Sequence, residues 1–169
     1  PRRRDDRAAP VLSRRTAARP PILEGPARRG ASLTNFVLDC SVTIGWCFED
    51  QADALTEAAL EALSDGEATV PSIWALEVAN VLLIAERRRR ITRAETGRLV
   101  ELLGALPIVV EEVPFRTATS DVLSKARELG LSSYDAAYLD VAIRRGLPMA
   151  TRDAALKTAC RRAGVPLFR

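Results

Sequence analysis

Ala68-Thr-Val-Pro-Ser-Ile-Trp-Ala-Leu-Glu-Val-Ala-Asn-Val-Leu-Leu-Ile-Ala85 contains a strand and a helix with almost nothing between them. Ala68 to Val70 has the short apolar and β-branched texture of a buried strand. Pro71-Ser72 then opens a helix predicted to reach about Arg88. Proline suits a first turn because its missing N–H has no intrahelical partner there, and serine caps well. From Ile73 to Ala85 only Glu77 and Asn80 are polar, and a helix apolar nearly all round is expected to be buried nearly all round.

The same alternation continues in both directions. Asn35-Phe-Val-Leu-Asp39 reads as a short buried strand ending in an acid. A helix is predicted from Asp53 to Leu63, stopped by Asp65-Gly66. Thr92 caps another, reaching about Leu106; Ile108 to Val113 is a strand; Pro114 starts a helix that Gly130 ends. Ser132-Ser133 caps a helix to about Arg145, Leu147 to Ala150 is a strand, and Asp153 opens a helix ending near Gly164. Val165 to Phe168 is a candidate last strand. Strands of three to five residues alternating with helices predict an α/β fold with a parallel sheet covered on both faces.

The chain has 169 residues, enough for one ordinary domain, with 47% hydrophobic and 28% charged residues. No apolar run reaches the roughly 18 residues of a membrane span, and no secretory pattern opens the chain. The three cysteines form no C-x-x-C pair, which fits a reduced, cytoplasmic protein. Residues 1–33 carry five of the ten prolines and nine arginines against three acids, while the remainder is net −3. That composition predicts a disordered basic leader, 1–33, before a folded unit, 34–169. Histidine is absent, which excludes histidine-based triads, Cys-His pairs and histidine-ligated zinc. With two lysines and no G-x-x-x-x-G-K-[ST] loop, a P-loop nucleotide site is excluded as well. Any chemistry must run on carboxylates, hydroxyls, arginines or a borrowed metal.

Four acids stand out from those on solvated helix faces. Glu77 interrupts the apolar helix, where an unpaired charge costs several kcal/mol, so it needs a cation or a basic partner, for which Arg152 is a candidate. Asn80, three residues on, shares its face. Asp39 and Asp153 follow strand ends, the edge at which open α/β sheets bind ligands, though either could simply cap a helix. Asp135 lies in a helix first turn, where the dipole alone favours an acid. Strand exits and the helix starts after them lie on one edge of a parallel sheet. Four carboxylates meeting there would repel strongly unless a divalent cation sat between them, and oxygen-only ligands suit Mg²⁺ or Mn²⁺.

Four segments, Phe36-Val-Leu-Asp-Cys-Ser41, Pro71-Ser-Ile-Trp-Ala-Leu-Glu-Val-Ala-Asn80, Ser133-Tyr-Asp-Ala-Ala-Tyr-Leu139 and Ala150-Thr-Arg-Asp153, carry a family likeness. In this order and spacing they resemble the PIN-domain ribonucleases, and within them the VapC toxins of bacterial toxin–antitoxin pairs. The resemblance covers about residues 35–168. It implies a three-layer α/β/α fold with a parallel sheet of about five strands. It also implies that Asp39, Glu77, Asp135 and Asp153 hold Mg²⁺ or Mn²⁺, with Ser41 and Thr151 as hydroxyl supports and Asn80 bonded in the outer shell. Cys40 stands where the family often has a smaller residue such as alanine.

The implied reaction is hydrolysis of RNA phosphodiesters, with the cation acidifying the attacking water and leaving 5′-phosphate and 3′-hydroxyl ends. Arg87, Arg88, Arg89, Arg90 and Arg93 are candidates for holding the RNA backbone, or form a solvated helix end. The resemblance further implies a VapB-like antitoxin that blocks the site and a toxin homodimer. Two other readings compete. A haloacid-dehalogenase-like phosphatase would need an acid two positions after Asp39, where Ser41 stands; an inactive PIN-like adaptor would typically have lost one of the four acids.

Overall fold

The computed structural model describes residues 35–169; the predicted leader, 1–33, lies outside the described residues. Four short strands, β1 (Phe36–Leu38), β2 (Ala68–Pro71), β3 (Ile108–Glu111) and β4 (Met149–Ala150), form one sheet in the order β3-β2-β1-β4. Every pairing is parallel, with Val37 opposite both Thr69 and Met149, and Val70 opposite Val110. The predicted fifth strand is reduced to a single parallel bridge between Leu167 and Met149. Pro166 in that segment has no N–H to give a ladder, which limits the pairing.

Eight helices are described: α1 (Cys40–Cys47), α2 (Ala54–Ala62), α3 (Ile73–Arg87), α4 (Arg93–Gly104), α5 (Phe115–Thr117), α6 (Leu123–Leu129), α7 (Ser133–Arg145) and α8 (Ala154–Arg162). A five-residue π segment, Ala118–Val122, joins α5 to α6. α3 packs against α1 and α4, α1 against α2, and α7 against β1, β2, α6 and α8, so the sheet lies between two helical layers. Phe36, Val37 and Leu38 are completely buried, as a strand covered on both faces must be.

Local chemistry places the helix starts. Asp53 and Thr92 each form a reciprocal capping box, with Thr56 and Glu95 respectively. Ser132 accepts the Asp135 amide, and Asp153 accepts the Leu156 amide. Gly130 and Gly146 end α6 and α7 in the left-handed conformation.

Two features depart from the sequence reading. The helix α1 follows β1 directly, in a stretch to which the sequence reading assigned no element. Its Val42, Thr43, Ile44 and Gly45 are poor helix formers, and six of its eight residues are buried, so it carries no amphipathic signal. Second, α3 is not buried all round. Leu76, Leu83 and Ile84 are exposed, Leu76 by 68%. They belong to an apolar surface that nothing in this chain's described residues covers. No described helix is long and apolar enough to cross a membrane.

Candidate metal centre

The chain runs from β1 outward through β2 to β3, then returns to the other side of β1 for β4. The order of strands therefore reverses between β1 and β4, and a crevice opens beyond the carboxyl ends of strands at such a point. Asp39 leaves β1 there, and Thr151 and Asp153 leave β4. The Asp39 amide donates to the Ala150 carbonyl at 3.0 Å, closing the β1–β4 ladder at the site itself.

Asp39 is 6% exposed. Its Oδ2 accepts two hydroxyl protons, from Ser41 at 2.5 Å and from Thr151 at 2.6 Å. Each hydroxyl is itself aimed by a backbone amide: Arg152 N–H donates to Ser41 Oγ and Asp153 N–H to Thr151 Oγ1, both at 3.0 Å. A hydroxyl whose lone pair takes an amide proton has its own proton free for the carboxylate. The loop after β4 thus fixes Asp39 Oδ2 through two hydroxyls, and the Ser41 backbone amide adds a hydrogen bond to the same carboxylate.

Glu77 enters from the first turns of α3 and is half-buried. Its Oε2 accepts the Tyr138 phenol from α7. Asp135, also on α7, is held by Ser132, whose hydroxyl donates to Oδ2 at 2.7 Å. Burial pushes the Asp39 carboxyl up; the Ser41 and Thr151 hydroxyls oppose that, and the charge of Asp135 adds to it. Glu77 is raised as well, by burial, against the opposing Tyr138 bond, and further by the charges of Asp39 and Asp135. Three carboxylates from β1, α3 and α7 therefore sense one another's charge.

Asp153 is placed differently. It is exposed, and its Oδ1 caps α8 at 2.7 Å from the Leu156 amide. Its tie to the cluster runs through Thr151, which its amide orients. Among the described residues no three acidic side chains already converge within coordinating reach of one point. Asn80 is exposed, and its side chain makes no hydrogen bond among the described residues. The proposed Arg152–Glu77 pair is absent: Arg152 Nε lies 3.0 Å from Asp53 Oδ2 instead.

Asp140 provides an internal comparison. It is 1% exposed, and Lys125 at 3.0 Å and Arg144 at 2.7 Å neutralise it. The Lys125 contact is an ion pair without hydrogen-bond geometry at Oδ1. No Arg or Lys among the described residues does the same for Asp39, Glu77 or Asp135. An all-oxygen donor set with excess negative charge and no protein counter-ion fits a hard divalent cation.

Tyr138 escaped the sequence reading as a functional residue. Its spacing could have found it, since it lies three residues after Asp135 and so on the same helix face. Cys40 sits beside Asp39 with its thiol raised by burial and by the charges of Glu77 and Asp39, so it stays protonated. In the arginine run, Arg90 is committed to Asp50 and lies 4.3 Å over the Phe48 ring, whereas Arg87, Arg88, Arg89 and Arg93 are exposed.

Comparison with known proteins adds three findings. The family described as "PIN domain" matches residues 36–162. The crystal structure of PAE2754 from Pyrobaculum aerophilum superposes with a TM-score of 0.58 at 24% identity, covering 77% of this chain and 87% of that one, a likeness of fold. Among curated proteins, none matches.

Proposed function

The chain belongs to the PIN domain family, whose fold is nuclease-like and whose members are generally metal-dependent nucleases, and from that premise we propose that it is an endoribonuclease using Mg²⁺ or Mn²⁺. Asp39, Glu77, Asp135 and Asp153 would hold the ion, with Ser41 and Thr151 fixing Asp39. The observation that carries this reading is the contrast between two buried aspartates. Asp140 has two cationic partners, while Asp39, set among like charges, has two hydroxyls and a backbone amide but no cation among the described residues. A carboxylate kept in that state is expected to acquire its counter-charge from outside the chain.

The bound ion would supply an acidified water and positive charge against the scissile phosphate. The protein's own groups hold and orient. Asp39 is held at Oδ2 by its two hydroxyls and would present its carboxylate to the ion. Asp135, steadied by Ser132 at the start of α7, places its charge where the helix dipole tolerates it. Asp153 would contribute the oxygen not engaged in capping. Arg87, Arg88, Arg89 and Arg93 are the proposed contacts to the RNA backbone; Arg87 is ten residues past Glu77, about 15 Å along the α3 axis. Arg90 is left out of that set because Asp50 and Phe48 already occupy it.

The finer reading is a toxin of the VapC kind with a VapB-like antitoxin, and it rests on the motif resemblance. A homodimer belongs to the same reading. It draws support from an apolar groove of about 370 Å³ between α3, α4 and β3, lined by Ala75, Ala79, Leu82, Val100, Leu103 and Val110.

The test is digestion of single-stranded RNA by the purified full chain with Mg²⁺, Mn²⁺ or EDTA. Cleavage is expected with either metal and none in chelator. Asp39→Asn and Asp135→Asn, both folded, should cut at least about 100-fold more slowly. Undiminished cleavage by either variant would remove that residue from the site, and cleavage in EDTA would end the metal reading.

A further inference from the structure

Tyr138 is completely buried, and its hydroxyl points to a purpose beyond packing. A phenylalanine would fill the same volume without a polar atom, and burying a hydroxyl costs free energy unless a partner takes its proton. That partner is Glu77 Oε2, 61 positions away in the sequence, and it is a residue of the candidate site. Tyr138 also stands three residues after Asp135, on the same face of α7. The phenol thus links the acid on α3 to the helix that carries Asp135. Asp39 is fixed by Ser41 and Thr151 and Asp135 by Ser132, and Tyr138 is the corresponding donor for Glu77.

We propose that Tyr138 is a positioning residue for the metal centre: by donating to Oε2 it fixes the Glu77 carboxylate and reserves Oε1 for the cation. This rests on the metal-nuclease reading above. A partner of this kind orients a ligand and tunes its basicity, and losing one typically weakens metal binding about 10–100-fold.

The experiment is calorimetric titration of the full chain with Mn²⁺ alone, without RNA, for wild type, Tyr138→Phe, Glu77→Gln and the double variant. Tyr138→Phe is expected to bind Mn²⁺ about 10–100-fold more weakly, and its RNA cleavage should recover as Mn²⁺ is raised. The double variant should bind no more weakly than Glu77→Gln, because the phenol acts through that carboxylate. A purely structural role would lower the melting temperature without this non-additivity. A second measurement avoids substitution at Tyr138. With fluorotyrosine at both tyrosines, Mn²⁺ should perturb the Tyr138 resonance in wild type and leave it unmoved in Glu77→Gln. Wild-type affinity in a folded Tyr138→Phe, or an unmoved resonance in wild type, overturns the role of Tyr138 alone. A wild-type chain that takes up no Mn²⁺ overturns the metal reading, and this inference with it.

Discussion

Asp39 is the residue on which pH and metal act together. Its folded carboxyl is raised above the ordinary value by burial and by Asp135, and Glu77 is raised by burial and by both aspartates. In the window between the unfolded value and the raised folded one, the native state binds more protons than the unfolded state. Stability therefore falls as pH rises through that window. The metal-free protein is expected to melt progressively lower as pH rises from about 4, the ordinary carboxyl value, toward neutrality. Mg²⁺ should return the loss, and Asp39→Asn should melt higher than wild type at neutral pH without metal. Thermal melts from pH 4 to 7 with and without Mg²⁺ check all three. A second residue stores strain of another kind. Arg89 has φ of 55° in the turn that ends α3, where its amide donates to Glu86 and the Arg90 amide to Ala85. A side chain costs about 1 kcal/mol in that conformation, so Arg89→Gly should stabilise the fold by up to that amount in chemical denaturation. The same variant tests the arginine run: loss of RNA affinity would place Arg89 on the substrate path.

At the scale of elements, α1 and α2 meet more closely than any side chain on Gly45 would allow. A Cβ there would stand 2.4 Å from Thr56 Cγ2 and 2.9 Å from the Gln51 carbonyl, and Thr56 is itself half of the α2 capping box. Gly45→Ala is expected to destabilise by about 1–3 kcal/mol, read as a shift in denaturant midpoint at constant slope. The helix that contains Gly45 is also what the sequence concealed. Its β-branched run argues for strand, and tertiary burial overrides that propensity because Val42 and Trp46, one turn apart on the same face, are both completely buried in the core. Where local chemistry acts alone, the elements were legible: Thr92 with Glu95, Ser132 and Asp153 each cap the helix predicted to follow them. Asp39 and Asp153 were legible as acids that follow strand ends, as they do after β1 and β4. The hydrogen-bond partners of the acids were not, since Thr151 to Asp39 and Tyr138 to Glu77 bridge 112 and 61 positions, a separation no local pattern encodes. The exposure of Leu76 and Leu83 was hidden for the converse reason: an apolar helix face looks alike in sequence whether this chain or another covers it.

For the whole molecule, the reversal of strand order between β1 and β4 gathers the candidate site on one side of the sheet, and the edge strand β3 lies on the other. Val110 of that edge is exposed and lines the groove beneath α3 and α4, and Val109 is exposed on the opposite face. An apolar edge of this kind is a liability unless another chain meets it. Sedimentation should therefore find a dimer in wild type and a monomer in a Leu83→Glu, Val100→Glu double variant; an unchanged dimer would place the contact elsewhere. The site itself depends on a different long-range arrangement, in which Asp39 after β1, Glu77 on α3 and Asp135 on α7 are near enough for their charges to act on one another, with no basic residue among the described residues paired to them. Anomalous diffraction from crystals soaked in Mn²⁺ examines that arrangement directly. A peak about 2.1 Å from oxygens of Asp39, Glu77 and Asp135 is the predicted result. Well-ordered crystals with no peak there, or with manganese bound only elsewhere, would contradict it.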